Sequence, residues 1–362
     1  MCAARAGVMP VVVAVVMSIG VFESTQAQHK EHAREGSSHH VKAPSIVMGL
    51  HSLSPGQLMM TYRFGMMRMG EDHQHLDGAH VTSESVLNDF SVVPLRMTTL
   101  GHMVSAMVGL PGRMAATLLV PVVHRSMDHR TAAGAQFSTQ SRGVGDMALG
   151  LVGNRQIGER ATGGLGLSLS LPTGTTSARD VTPSSSPQDM HLPYPMQIGS
   201  GSVEVRPKAT VSVQWAGLNV GGQVLGTFRT GANNAGYHLG NEIGSSAWVA
   251  FGLSSSTDAS VRVAYNRRGN IRGSDPRLHS QLGVVPTADP TLRQGSELWI
   301  APELSISGGV APLGSHSLAL GVEVPLWHSL TGPQLGLAWA FRLAWTVSRR
   351  IGGDKDCGGR LS

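Results

Sequence analysis

Cysteine is almost missing from this 362-residue chain: Cys2 and Cys357 are the only two. Cys2 sits just ahead of an apolar leader, so a processed chain keeps one thiol and has neither an internal disulfide nor a thiolate metal site. Charge is scarce as well, at 14% of residues against roughly 25% in soluble globular domains. Aromatics stand at 5%. The net charge of +5 comes without a basic run or basic helix, so nothing points to nucleic acid as a partner. Beyond residue 27 no apolar run reaches the ~20 residues that a membrane helix needs. Walker loops, nucleophile elbows, HExxH and paired-Cys sites are all missing from the sequence, and the chain is not expected to be an enzyme.

The first residues suit export. Arg5 precedes the apolar stretch Gly7 to Phe22, and Thr25-Gln26-Ala27 offers small residues for cleavage. The expected organisation is a signal peptide at 1–27, a His-rich periplasmic segment at 28–56, a transmembrane barrel at 57–348 and a polar tail at 349–362.

What the sequence has in abundance is alternation. From Gln334 to Ser348, Leu335, Leu337, Trp339, Phe341, Leu343, Trp345 and Val347 share one parity, while Gly336, Ala338, Ala340, Arg342, Ala344 and Thr346 share the other. Successive side chains of a strand point to opposite faces, so one face is greasy and the other is small or polar. The pattern recurs over 162–171, 201–215, 258–268 and 315–327. Charges of both signs occupy the polar face at Arg63, Glu204, Arg206, Lys208, Arg229, Glu242, Arg262, Arg268, Glu303, Glu323 and Arg342. A hydrated lumen with paired charges accommodates them better than a soluble β-sandwich does. The runs are also ~9–14 residues long, and tilted membrane strands need about 9–11.

Short connections near 110–113, 155–161, 216–217, 254–257 and 308–314 alternate with long ones at 70–94, 130–141, 172–201, 231–241 and 269–295. The spacing predicts an all-β fold: an antiparallel transmembrane β-barrel of about twelve strands, with N- and C-termini periplasmic, in a Gram-negative outer membrane. The Ser/Thr/Pro-rich segment 172–201 reads as a surface loop able to fold over the mouth as a lid. The Gly143-Val144-Gly145 run resembles a phosphate loop only superficially, because no helix follows it.

Methionine and histidine are the unusual residues, at 17 and 16. Imidazoles cluster at His29, His32, His39 and His40, and again at His73, His75 and His80. Met59, Met67 and Met69 share the lumen parity of one strand, and Met97, Met103 and Met107 that of the next. Met127 and His129 end the third. Imidazole suits copper, zinc or nickel and thioether selects Cu(I), so this set forms a candidate soft-metal path. Met is also a flexible gap-filler, and a His-rich segment can be only a solvated linker. No cofactor is called for beyond transient copper.

The runs Met59-Met60-Thr61-Tyr62-Arg63-Phe64-Gly65-Met66-Met67-Arg68-Met69, Ser126-Met127-Asp128-His129, Gly143-Val144-Gly145-Asp146, Leu192 to Gly201 and Val285 to Pro290 resemble outer-membrane transporters related to the phenol meta-pathway outer-membrane proteins. The resemblance spans roughly residues 45 to 348 and implies a channel-type protein without a settled substrate. Residues 95–108 are poorer in Met than the family pattern, which weakens the copper reading. The expected partners are outer-membrane lipid and a small solute or metal ion, such as copper. The alternatives are an uptake barrel for small hydrophobic or aromatic compounds, and a non-transporting structural barrel plugged by its His-rich segment.

Overall fold

The structure, a computed structural model, describes residues 41–47, 50, 53–76, 79–310 and 314–350. Twelve antiparallel strands close into a barrel. They are β1 (Gln57–Leu76), β2 (Val92–Leu110), β3 (Met114–Thr131), β4 in two segments (Gln136–Val144 and Met147–Ile157), β5 (Ala161–Leu171), β6 (Glu204–Trp215), β7 (Leu218–Arg229), β8 (Glu242–Gly252), β9 (Thr257–Arg268), β10 (Gly295–Val310), β11 (Gly314–Leu330) and β12 (Gln334–Arg350). Each strand pairs with its sequence neighbour, and β12 closes on β1 from Gln57↔Arg350 to His75↔Gln334. Closure leaves no unpaired sheet edge, which is the condition for a sheet to cross lipid.

The outer surface explains why the chain needs that environment. Leu149, Leu151, Leu165, Leu167, Val249, Val261, Leu304, Ile306, Leu318, Leu320, Val322 and Trp345 all project outward and exposed. Such a continuous apolar belt far exceeds the scattered apolar patches of a soluble monomer. The opposite parity fills the lumen with small, polar and charged side chains, as the alternation predicts.

Three expectations need correction. Leu335 and Leu337 do not join Trp339 and Phe341 on the lipid face. The register with β1 slips between Arg68↔Trp339 and Met69↔Leu337, and both leucines turn into the lumen. A one-residue slip in a strand exchanges the two faces. The expected loops at 70–94 and 130–141 are also shorter than predicted. β1 continues to Leu76, and Arg130 pairs with Gln136 across a tight turn. Strand pairing there outlasts the hydrophobic pattern, because a ladder above the bilayer does not need an apolar face. His73 and His75 therefore lie on a strand, not in a loop.

Short turns and the chain's described ends share one rim, called here the turn end. The other rim, the loop end, carries residues 172–203, 230–241 and 269–294. Candidate residues His29, His32, His39 and His40, together with the expected signal peptide and residues 351–362 of the expected tail, lie outside the described residues, while Arg349 and Arg350 of that tail belong to β12.

Candidate functional site

Segments of the chain fold into the lumen at both rims, and a hollow lies between them. At the turn end the segment before β1 enters the barrel. Val41, Val47 and Leu53 are buried. Val41 O accepts from Gln214 Nε2 at 2.7 Å. Ser45 donates its N–H and Oγ–H to the two oxygens of Glu303, at 2.6 and 2.8 Å. Arg63 Nη2 reaches Ser45 O at 3.4 Å. Leu53 packs with Met59, Met107, Ala115 and Val152, and the approach is close enough that a side chain at Gly109 would collide with Ser54 O. Arg63 and Glu303 thus serve this plug.

At the loop end the segment 172–201 folds inward. Its anchor is Asp146, at the break between the two segments of β4. One carboxylate oxygen accepts from Gly174 N–H at 2.9 Å, and the other accepts from the Ser200 N–H and Oγ–H, both at 2.7 Å. A Cβ on Gly174 or Gly199 would meet the opposite backbone, so glycine permits the approach. Arg125 Nη1 donates to Pro195 O at 2.8 Å and to Gln197 O, while Ser141 Oγ donates to Met196 O at 2.6 Å. Above this, Tyr194, Tyr237, Ile271, Leu278, Val285 and Ala288 pack into an apolar roof. A buried polar lock holds the roof together. His191 Nε2 donates to Asp275 Oδ2 at 3.2 Å, Arg277 Nη2 donates to the same oxygen at 2.7 Å, and the Asp275 N–H donates to Tyr194 Oη at 2.9 Å. Burial, then the Arg277 charge, hold the His191 imidazole below its ordinary pKa. Burial works to raise Asp275, but hydrogen bonds from Arg277 outweigh it and hold the carboxyl below its usual range. Burial pushes Tyr237 up to about 12.

Between plug and roof lies a cavity of about 650 Å³. One side is apolar: Met67 and Met69 of β1, Met97 and Met103 of β2, Met127 of β3, and Leu335 and Leu337 of β12. The other side is a charge ladder. Glu204 accepts from Arg206 at 2.5 Å and Arg229 at 2.9 Å, and Arg229 also reaches Glu242 at 3.1 Å. Lower down, Glu323 accepts from Arg262 and Arg342, both at 2.7 Å, and from Trp299 Nε1 at 2.9 Å. The strand order sets β1–β3 across the lumen from β7–β9, so the two walls face one another.

The sequence-predicted residues divide accordingly. Met67, Met69, Met97, Met103 and Met127 come together on one wall. Met59 and Met107 instead pack against the plug. His129 is buried against Phe137, stacked at 4.8 Å, and His80 lies exposed, so neither joins the methionines. Among the described residues no group of three or more His, Cys, Asp or Glu is arranged to hold a metal ion. Of the lumen charges, Glu204, Arg206, Arg229, Glu242, Arg268, Glu323 and Arg342 line the cavity. Arg262 and Glu303 sit at a small void beside Pro44 and Ile46. Lys208 lies on β6, its stem packed over Gly166. Sequence reading missed Arg125, Asp146, Tyr194, Arg293, Leu335 and Leu337. Arg125 shares parity with Met127 and was legible as a lumen residue, whereas Arg293 sits in a loop where no periodicity signals its direction.

Neither a family model nor a curated protein sequence matches the chain. Solved structures do. An outer-membrane channel of Pseudomonas putida F1 is 13% identical, and the match covers 85% of this chain and 100% of that one with a TM-score of 0.57. A FadL homologue of Pseudomonas aeruginosa matches at 12% identity over 86% and 95% of the two chains, with a TM-score of 0.38. A mutant of the TodX monoaromatic hydrocarbon channel matches at 8% identity over 83% and 91%, with a TM-score of 0.41. The last two scores are too low to bear on the argument. The first shows the fold. The chain shares its fold, a closed twelve-stranded antiparallel β-barrel.

Proposed function

We propose that the chain is an outer-membrane channel for small, largely apolar compounds, with its turn end and both termini in the periplasm. The observation that carries this reading is the cavity of about 650 Å³, walled on one side by five methionines and two leucines and roofed by Tyr194 and Tyr237. Binding sites for small organic molecules are concave and mostly apolar with a few placed polar groups, and their volumes run to several hundred Å³. Unbranched thioether side chains adapt to varied apolar shapes, which suits a permissive passage. The resemblance to phenol meta-pathway outer-membrane proteins supports the channel reading. Met69, Met97 and Met127 pack with Leu192, Met196 and Leu335 into one apolar cluster, which favours their role as a greasy lining over a copper path. For passage the roof must lift and the plug must shift. Both are held mainly by hydrogen bonds and small apolar contacts, the kind of structure that opens locally.

The test is uptake of the neutral fluorophore 2-naphthalenemethanol by porin-deficient cells making the chain. Uptake at least tenfold faster than in vector controls is expected. Equal uptake, with a heat-modifiable barrel present in the outer membrane, contradicts the proposal.

A further inference from the structure

We infer that Arg268 and Arg293 form a carboxylate-binding site in this cavity, so that the preferred solute is a small aromatic or otherwise apolar carboxylate. The inference rests on the channel reading above and names its substrate class.

The glutamates along the cavity already have partners. Glu204 and Glu242 are held by Arg206 and Arg229, Glu323 by Arg262 and Arg342, and Glu297 stands 3.6 Å from His328 Nδ1. Arg268 and Arg293 are different. Arg268 gives Nε to Arg293 O at 3.0 Å and Nη2 to Gln334 Oε1 at 3.3 Å. Among the described residues no carboxylate lies within ion-pair distance of it. The Arg293 guanidinium lines the cavity and has neither a hydrogen-bond nor an ion-pair partner among the described residues. Its backbone is nevertheless fixed, because Asn270 Oδ1 accepts from the N–H groups of both Arg293 and Gln294, at 2.9 and 2.6 Å.

Arg268 and Arg293 line the same partly dehydrated cavity and are tied together by the Arg268 Nε bond to Arg293 O, so their like charges repel and an anion bound by both relieves that repulsion. The planar fork of arginine matches a carboxylate through two parallel hydrogen bonds, and this match is stronger than a neutral contact. The rest of the ligand is read from what adjoins the pair. Gln334, which accepts from Arg268, is the chain neighbour of Leu335, which packs with Met97, Met127, Leu192 and Met196. The cation pair and the apolar wall therefore meet within one residue of β12, beneath Tyr194. A solute with its carboxylate on the arginines can lay its ring on Leu335 and the methionines.

The test compares 2-naphthoate with 2-naphthalenemethanol, which share a ring system and differ in charge. Binding to the purified full chain in detergent is read by naphthyl fluorescence, and uptake is read in porin-deficient cells. The wild type should bind the carboxylate at least tenfold tighter than the alcohol. Arg293→Gln should bring that ratio close to one, and Arg268→Gln should do the same. Arg155→Gln, exposed at the turn end, should leave the ratio at the wild-type value. Equal affinity for the two probes in the wild type overturns the site, as does a ratio unmoved by both cavity substitutions, while continued uptake of the alcohol preserves the channel. Arginine-dependent binding of naphthoate with uptake of neither probe upholds the site and removes the channel reading.

Discussion

The two walls of the cavity are built from strands of the same barrel with the same alternation, yet they are held together by opposite means. On β1–β3 and the loop end of β12 the residues lining the cavity are mostly methionine and leucine, and Met69, Met97, Met127 and Leu335 among them cohere by packing. On β6–β11 they are arginine and glutamate, and they cohere by paired charge. The charged wall is rigid and intolerant, because Glu204 and Glu323 each serve two arginines. The apolar wall is adaptable, because thioethers repack. A solute path that must accept an apolar body yet select by charge needs one wall of each kind.

The largest expected effect comes from breaking the charged wall. Glu323→Ala leaves Arg262 and Arg342 facing each other in the lumen without their shared carboxylate. Removing one partner of a buried pair costs about 3–5 kcal/mol, and reversible urea unfolding in lipid should show it. A loss below about 1 kcal/mol would mean that water in the lumen already neutralises the ladder.

The apolar wall should respond to volume and not to sulfur. Met127 is 1% exposed, so Met127→Ala is expected to cost about 2–3 kcal/mol, whereas Met127→Leu should cost less than about 1.5 kcal/mol. Naphthyl uptake should survive the leucine variant within twofold. Failure of the leucine variant alone would show that the thioether itself matters and would reopen the soft-metal path.

The smallest effect concerns the roof. His191 has a depressed pKa when the roof is closed and an ordinary one when it is open. Below the ordinary value the open state therefore binds more protons, and closure weakens as pH falls toward the depressed value. Asp275 acts in the same sense at lower pH, since its contribution is lost as pH falls through its lowered folded value. Amide protection factors across 189–197 and 275–282, taken relative to the intrinsic exchange rate at each pH, should fall severalfold between pH 7.5 and 5.5, and His191→Gln should flatten that response.

The same contrast explains what the sequence revealed. The barrel was legible because a sheet with one apolar and one polar face has a strict two-residue period, clearest in β12 and recurring in β5, β6, β9 and β11. The charged lumen residues followed from that parity. The apolar wall was half legible. Met67 and Met103 fell on the lumen parity, but Leu335 and Leu337 were assigned to lipid because a single bulge reverses the parity without leaving a sequence mark. The roof and the Arg268–Arg293 pair were illegible, since they depend on loops whose direction no period encodes. Asp146 lay inside a recognised run, and its role in anchoring an inward loop emerges only from tertiary contacts.

The most direct test of the two-wall passage is the uptake rate of 2-naphthalenemethanol in cells carrying Met103→Arg, with Arg155→Gln as control and barrel assembly checked by heat modifiability. Met103 lines the apolar wall and Arg155 lies exposed at the turn end. A charge placed on the greasy wall should lower uptake at least tenfold while the control retains the wild-type rate. Wild-type uptake by an assembled Met103→Arg barrel would contradict the proposal that the solute travels along that wall.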